Sequence, residues 1–334
     1  MKVENDNLVA IKHLDSNFRE CSKIEWFLGL KCNLKCSYCA EFNSDQDFAP
    51  FEKIIKGVDL LVKKIKDRKI LLLLGGGEPS LHPDIHQICR YMAGKKINLS
   101  MITNGTMLPE KYVQMLDSVY HYTFSLHFEK NVYKKTLKSI FAVAVALEAN
   151  NLSMRHLQVN VMLVPGYFKE IDEAVKKLQE KKIPYVFRKI RPNLDDNKKV
   201  QTSFIVENQN YYNKGEMDFM NEKLFSVSKN TMEYWENSKG EIRKVKSNAN
   251  DVLIRGINRF KGWKCWVGVE RLHIYPNGEV YRSTCKVGGL LGNIFDNFSY
   301  PKKPVICTED TCACAWAINL SKVKNKKYSS LLLT

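Results

Sequence analysis

Between residues 24 and 191 this chain repeats one pattern: a short apolar run, then a longer stretch whose apolar residues fall at helical spacing. Strand-like runs stand at 24–30, 70–74, 97–102, 120–127, 157–164 and 184–190, and helical patterns at 51–66, 84–94, 109–117, 132–149 and 169–181 separate them. In the first helical pattern Phe51, Ile54, Ile55, Val58, Leu61, Val62 and Ile65 form one apolar face, the stripe by which a helix lies on a core. Six such repeats predict βα units on a parallel sheet. In α/β folds of this kind ligands sit on the loops leaving the carboxyl ends of the strands.

The loop after the first strand carries Cys32-Asn-Leu-Lys-Cys36-Ser-Tyr38-Cys39. Three thiolates at this spacing fit three irons of a [4Fe–4S] cube and leave the fourth iron open. A cluster that only shuttles electrons takes four cysteines, whereas an open position binds a reactant, as at a catalytic zinc. A zinc knuckle is the alternative, but it needs a second ligand pair nearby, and the next cysteine is Cys89. The chain has ten cysteines, a polar start (Met1-Lys-Val-Glu-Asn-Asp6) and no long apolar run. These features predict a reducing cytoplasm, metal ligation in place of disulfides, and no membrane span.

The Cys-x₃-Cys-x₂-Cys motif with Tyr38 before its last cysteine resembles the signature of the radical S-adenosylmethionine (radical SAM) enzymes. A second match follows the next strand, where Leu74-Gly75-Gly76-Gly77-Glu78-Pro79 resembles that family's Gly-Gly-Glu-Pro motif. The resemblance implies a partial (β/α)₆ TIM-like barrel and a [4Fe–4S] cluster whose open iron takes S-adenosylmethionine. Backbone at Gly76, Gly77 and Glu78 would hold the cofactor's amino group: glycine permits close backbone approach, and an acidic side chain suits an ammonium. Thr103-Asn104-Gly105 resembles the Thr-Asn-Gly often found at the third strand end. By the same resemblance Ser125 touches the cofactor's ribose or carboxylate; Asn160, toward the end of the fifth strand, is a further candidate contact to the cofactor. His127, Arg188 and Arg191 are the catalytic candidates, the arginines as holders of a substrate carboxylate or phosphate; a packing histidine and surface arginines are the alternative reading.

After Pro192 the composition turns to Asn, Asp, Gln and Lys, that of a linker or lid, and a hairpin is expected over 231–236 and 241–246. A second hairpin is expected around Pro276-Asn277-Gly278, between Cys265 and Cys285, and Cys307, Cys312 and Cys314 follow. This segment resembles the SPASM/twitch extension of radical SAM enzymes, a small α+β domain built on a β-hairpin. Five cysteines support one auxiliary [4Fe–4S] cluster. Cys265, Cys285 and Cys312 are the expected ligands, with Cys314 or Cys307 as the fourth; a zinc ribbon is the alternative. The division expected is a barrel over 1–191, a linker or lid over 192–260 and an auxiliary-cluster domain over 261–334. Cys89, inside a helical pattern, reads as a small core residue.

The implied activity is reductive cleavage of S-adenosylmethionine to methionine and a 5′-deoxyadenosyl radical, which takes hydrogen from an unactivated C–H bond. Oxidation, cross-linking or epimerisation of a peptide, sugar or small metabolite follows from the extension, with a flavodoxin- or ferredoxin-type electron donor. The residues before the barrel are too few for a separate peptide-recognition domain, which favours a small molecule, a sugar or a peptide delivered by another protein. A net charge of +16 raises nucleic acid or a nucleotide as substrate. Lysines outnumber arginines 41 to 11, however, and arginine is the residue favoured for bidentate phosphate contact. The non-enzyme alternative is a structural zinc or iron–sulfur protein.

Overall fold

The first described strand, β1 (Asn7–His13), is followed by the expected apolar runs, each now a strand: β2 (Cys21–Phe27), β3 (Lys69–Gly75), β4 (Asn98–Thr103), β5 (His121–Leu126), β6 (Leu157–Leu163) and β7 (Tyr185–Lys189). The helical patterns form α1 (Phe51–Lys64), α2 (Ile85–Gly94), α3 (Pro109–Gln114), α4 (Tyr133–Ala149) and α5 (Phe168–Glu180). These assignments come from a computed structural model that describes residues 6–15, 20–39, 46–190, 212–224, 229–312 and 315–333. Arg191, Cys314 and residues 192–211 and 225–228 of the expected 192–260 linker or lid lie outside the described residues.

Strands β2 to β7 run parallel in chain order, the six-stranded wall of a partial (β/α)₆ barrel. Alternation along each strand sorts the side chains. Trp26 faces α1, where Gly57 leaves room for its ring, and Phe124 faces α4 through Thr136. Trp26, Leu72, Leu99, Phe124 and Val159 are all buried on that side. Glu25, Leu73, Ser100, Ser125 and Asn160 therefore face the opposite, barrel-interior side.

The chain then forms α6 (Lys214–Leu224), the expected first hairpin as β8 (Thr231–Glu236) and β9 (Ile242–Ser247), α7 (Ala249–Ile254) and β10 (Lys264–Cys265). The second hairpin is β11 (Arg271–Ile274) and β12 (Glu279–Tyr281), and β13 (Leu290–Asn293), β14 (Val305–Ile306), α8 (Ala315–Ile318) and β15 (Lys322–Val323) complete the elements used below.

The sheets do not follow the sequence division at 191 and 261. Strand β11 pairs in parallel with β2, so the order of the large sheet is β13-β12-β11-β2-β3-β4-β5-β6-β7. Conversely, β1 leaves the barrel and joins a second sheet of order β14-β10-β15-β1-β8-β9. The physical reason for the first crossing is on the sheet itself. Arg271 and His273 of β11 both bond the Glu25 carboxylate of β2, His273 Nδ1 at 3.0 Å. Residues 271–274 thus extend the barrel wall, and Cys265 and Cys285, expected at one hairpin's ends, flank a hairpin that belongs to the barrel sheet.

Candidate metal centres

The cysteine loop and the glycine turn are one assembly. Gly77 N–H donates to Gly29 O at 3.0 Å and Glu78 N–H to Lys31 O at 2.9 Å, binding the turn after β3 to the chain entering the cysteine loop. A Cβ at Gly77 would lie 2.2 Å from Lys31 O; one at Gly76, whose φ is +107°, would lie 2.4 Å from Gly29 O. Only glycine fits either place. The close approach expected toward a cofactor is used, within the chain itself, to seat the two motifs on each other.

Glu78 is buried, and burial pushes its carboxyl above the ordinary carboxylate range. Its oxygens accept Ser80 N–H at 3.0 Å, the Thr103 hydroxyl at 2.7 Å and Asn104 N–H at 2.6 Å. The side chain expected to face an ammonium is thus turned to the loop after β4, which it holds in place. Thr103 is buried in the same network with the Tyr112 hydroxyl at 2.9 Å. Asn104 does reach the cysteine loop: its Nδ2 donates to Asn33 Oδ1 at 2.9 Å and toward Cys32 Sγ at 3.8 Å. Neither Asn33 nor Tyr112 was singled out from the sequence, because nothing local marks a side chain whose partner is a distant loop.

On the other side of the loop, His127 Nδ1 lies 2.7 Å from the Tyr38 hydroxyl and 3.5 Å from Cys36 Sγ. Burial lowers the imidazole pKa to about 4, so the ring is neutral and its role here is to orient Tyr38 and Cys36. Burial also raises the Cys36 thiol to about 11. A buried thiol of this kind keeps its proton unless a cation replaces it, and iron is such a cation. Ser37 is tied by its N–H and hydroxyl to the Glu129 carboxylate, at 2.9 and 2.5 Å. The three cysteines therefore sit on a loop pinned from both sides, and their residue set fits a cluster with three thiolate ligands.

Ser125 and Asn160 are directly paired on β5 and β6, and Asn160 Oδ1 accepts Arg188 Nε–H at 2.9 Å across to β7. These three form a continuous polar strip on the barrel-interior face. It can bind a polar or anionic group; Arg188 and Asn160 act there as a unit.

A sequence-family model described as the radical SAM superfamily matches residues 26–191, the stretch that runs from the end of β2 through both motifs and the five parallel strands that follow. The chain belongs to the radical SAM superfamily. Membership implies a [4Fe–4S] cluster and S-adenosylmethionine. An AdoMet-dependent heme synthase from Methanosarcina barkeri is 30% identical over 93 residues, 28% of this chain and 27% of that protein. A probable GTP 3′,8-cyclase from Methanococcus maripaludis is 35% identical over 94 residues, 26% of this chain and 29% of that protein. The chain thus spans under a third of the curated relatives it matches. Streptococcus suis SuiB bound to its precursor peptide SuiA shares the fold with a TM-score of 0.55 and 15% identity, over 85% of this chain and 65% of that one.

In this radical SAM chain three of the C-terminal cysteines, Cys265, Cys307 and Cys312, lie on or beside the second sheet. Cys265 on β10 and Cys307 just after β14 are buried in one apolar cluster, and Cys312 packs against it. Cys307 N–H donates to Trp263 O at 2.8 Å and Cys312 N–H to Asn258 O at 2.8 Å. Cys285 is exposed, near enough to Cys307 that its thiolate form would raise the Cys307 thiol. Burial raises the thiols of Cys265 and Cys307, and buried thiols beside a cation, Lys322, fit a thiolate-ligated cluster. Among the described residues no three His, Cys, Asp or Glu side chains converge closely enough to hold a single metal ion; a cubane spreads its thiolates over four irons. Cys89 is buried in the barrel core, as expected. Among the described residues no helix is long and apolar enough to cross a membrane.

Proposed function

We propose that this chain cleaves S-adenosylmethionine reductively at a [4Fe–4S] cluster held by Cys32, Cys36 and Cys39, and modifies a peptide with the help of an auxiliary [4Fe–4S] cluster held by Cys265, Cys285, Cys307 and Cys312. The observation that carries this reading is the docking of the glycine turn on the cysteine loop, through Gly77 N–H to Gly29 O and Glu78 N–H to Lys31 O. It ties the glycine turn, the expected cofactor-binding segment, to the chain that enters the cysteine loop. A cluster held by Cys32, Cys36 and Cys39 would supply the one-electron reduction by which S-adenosylmethionine is cleaved to start hydrogen removal from the substrate.

The chain's own residues do the rest. Asn104, positioned by Glu78, donates toward Cys32 Sγ, a hydrogen bond of the kind that tunes a cluster. His127 and Tyr38 pack at Cys36, limiting water at that thiol. Ser125 and Asn160 offer polar contacts to the cofactor, and Arg188, steadied by Asn160, holds an anionic group of the substrate. The likeness to peptide-bound SuiB supports a peptide substrate, and a flavodoxin- or ferredoxin-type protein in the cytoplasm would deliver the electrons. A nucleotide substrate is a second reading, favoured by the net charge of +16 and the likeness to a GTP 3′,8-cyclase.

Anaerobic purification with metal analysis tests the assignment: about eight irons, two cubanes, are expected. Cys36→Ala should abolish S-adenosylmethionine cleavage, while Cys285→Ala keeps cleavage and loses substrate turnover. A colourless protein with about two zincs, or full turnover in both variants, would sink the reading. Steeply salt-dependent binding of a nucleotide or RNA, without peptide binding, would favour the second reading.

A further inference from the structure

Lys322 is among the largest fully buried side chains of the molecule. A lysine is almost never fully buried without a partner charge, because removing an ammonium from water costs several kcal/mol even after relaxation. Its Nζ is held by three backbone carbonyls, those of Ala317, Ile318 (3.2 Å) and Leu320 (3.2 Å), and stands 5.1 Å from the Phe260 ring centre. These groups offer dipoles and no net charge. No carboxylate among the described residues comes within ion-pair distance of it.

The nearby acids are engaged elsewhere. Lys322 and Ile11 are direct partners on β15 and β1, and Ile11 and Glu233 on β1 and β8, so Glu233 shares the face of Lys322 but lies two strands away. It is ion-paired to Arg255 and accepts Trp235 Nε1–H. Glu270 accepts Ser321 N–H at 2.9 Å and offsets the buried Lys23. On the other side, Lys322 is the direct cross-strand partner of Cys265 on β10, and Cys265 in turn of Val305 on β14. Direct partners on antiparallel strands share a face, so ammonium and thiol sit side by side, with Cys307 in the same buried cluster. Arg282, whose guanidinium donates to the carbonyls of Val267 and Lys303 at 3.3 Å each, brings a second positive charge to Cys265.

We propose that Lys322 is the buried counter-ion of the auxiliary four-iron cluster and raises that cluster's reduction potential. The inference rests on the auxiliary-cluster reading above. A [4Fe–4S] cube with four thiolates is anionic in both of its usual oxidation states and more so when reduced. A fixed cation beside it therefore stabilises both states and favours the reduced one, and cluster potentials respond to net charge and solvent exposure in this way. One electron enters the cluster and no bond is made or broken. Lys322 acts through the thiolates as a positioning charge and touches no substrate.

The test is a redox titration of the anaerobically purified full chain, followed by electron paramagnetic resonance, with Lys322→Met beside the unaltered protein. The auxiliary signal should move to a more negative midpoint, the cluster at Cys32, Cys36 and Cys39 should keep its own, and a chelator should remove about half the iron several-fold faster. Lys322→Arg should return the midpoint toward the unaltered value, which a merely structural role does not predict. Arg282→Gln, less buried, should shift it the same way by less, and decides the matter if Lys322→Met does not fold. An auxiliary signal present with an unmoved midpoint in these variants overturns the proposal. An unaltered protein with only one cluster overturns it too, but by removing the auxiliary-cluster reading itself.

Discussion

Glu25 stands in the barrel wall largely out of water and is nonetheless ionised. Burial alone would raise its carboxyl, but Arg271 and His273 outweigh it and hold the pKa down to about 2, against an ordinary 4.5. A carboxylate depressed in the folded state contributes stability above its unfolded pKa and loses it as pH falls through the folded value. Glu25→Gln should therefore lower stability by about 3 kcal/mol at neutral pH, the scale of breaking a buried pair by removing one partner. The gap to the unaltered protein should close as pH falls from about 4.5 toward 2, as chemical-denaturation midpoints across that range would reveal. Glu78 makes the complementary case. Glu78→Ala leaves the Ser80 and Asn104 N–H groups and the Thr103 hydroxyl without their acceptor, at about 1–3 kcal/mol for each buried group. It should reduce iron retention at Cys32, Cys36 and Cys39, measured by metal content, without altering the auxiliary cluster. The position of Glu78 was readable from its motif; its partners were not, because Thr103 lies 25 residues on and no local pattern links the two.

Periodicity served well for elements. Its strand and helix spans agree with β2 to β7 and α1 to α5 to within three residues, since a buried strand and an amphipathic helix each write their period into the sequence. What periodicity does not carry is which neighbour covers a face. Gly57 in α1 lies against Trp26 of β2 and Ile294 after β13, where a Cβ would come within 2.8 Å of the indole and 3.1 Å of Ile294. Gly57→Ala gains about 1 kcal/mol in helix propensity, while overpacking a filled core costs about 1–3 kcal/mol. Both neighbours are fully buried and have little room to yield, so the variant should unfold at lower denaturant concentration, despite its better helix former. A stabilised variant would mean that the ring rotates freely in its site.

At the scale of the molecule, the barrel sheet is not complete at residue 191: β11 occupies the edge of β2, and Arg271 neutralises Glu25 from there. A chain cut after residue 260 should expose an unpaired strand edge, a template for association, and leave an uncompensated buried charge. Size-exclusion chromatography should show aggregation, and circular dichroism a loss of cooperative unfolding; a monomer that melts cooperatively would show β11 to be dispensable. The sequence by itself determined the six βα repeats and the places of both motifs at strand ends. Those features are local, written in spacing and period. It also marked the C-terminal cysteines as a group. Only the tertiary structure decided that β11 extends the barrel sheet beside β2, that β1 leaves it for the second sheet, and that Lys322 stands opposite Cys265. Such pairings join residues as far apart as Ala10 and Val323, and their charges find partners only when the sheets bring them together.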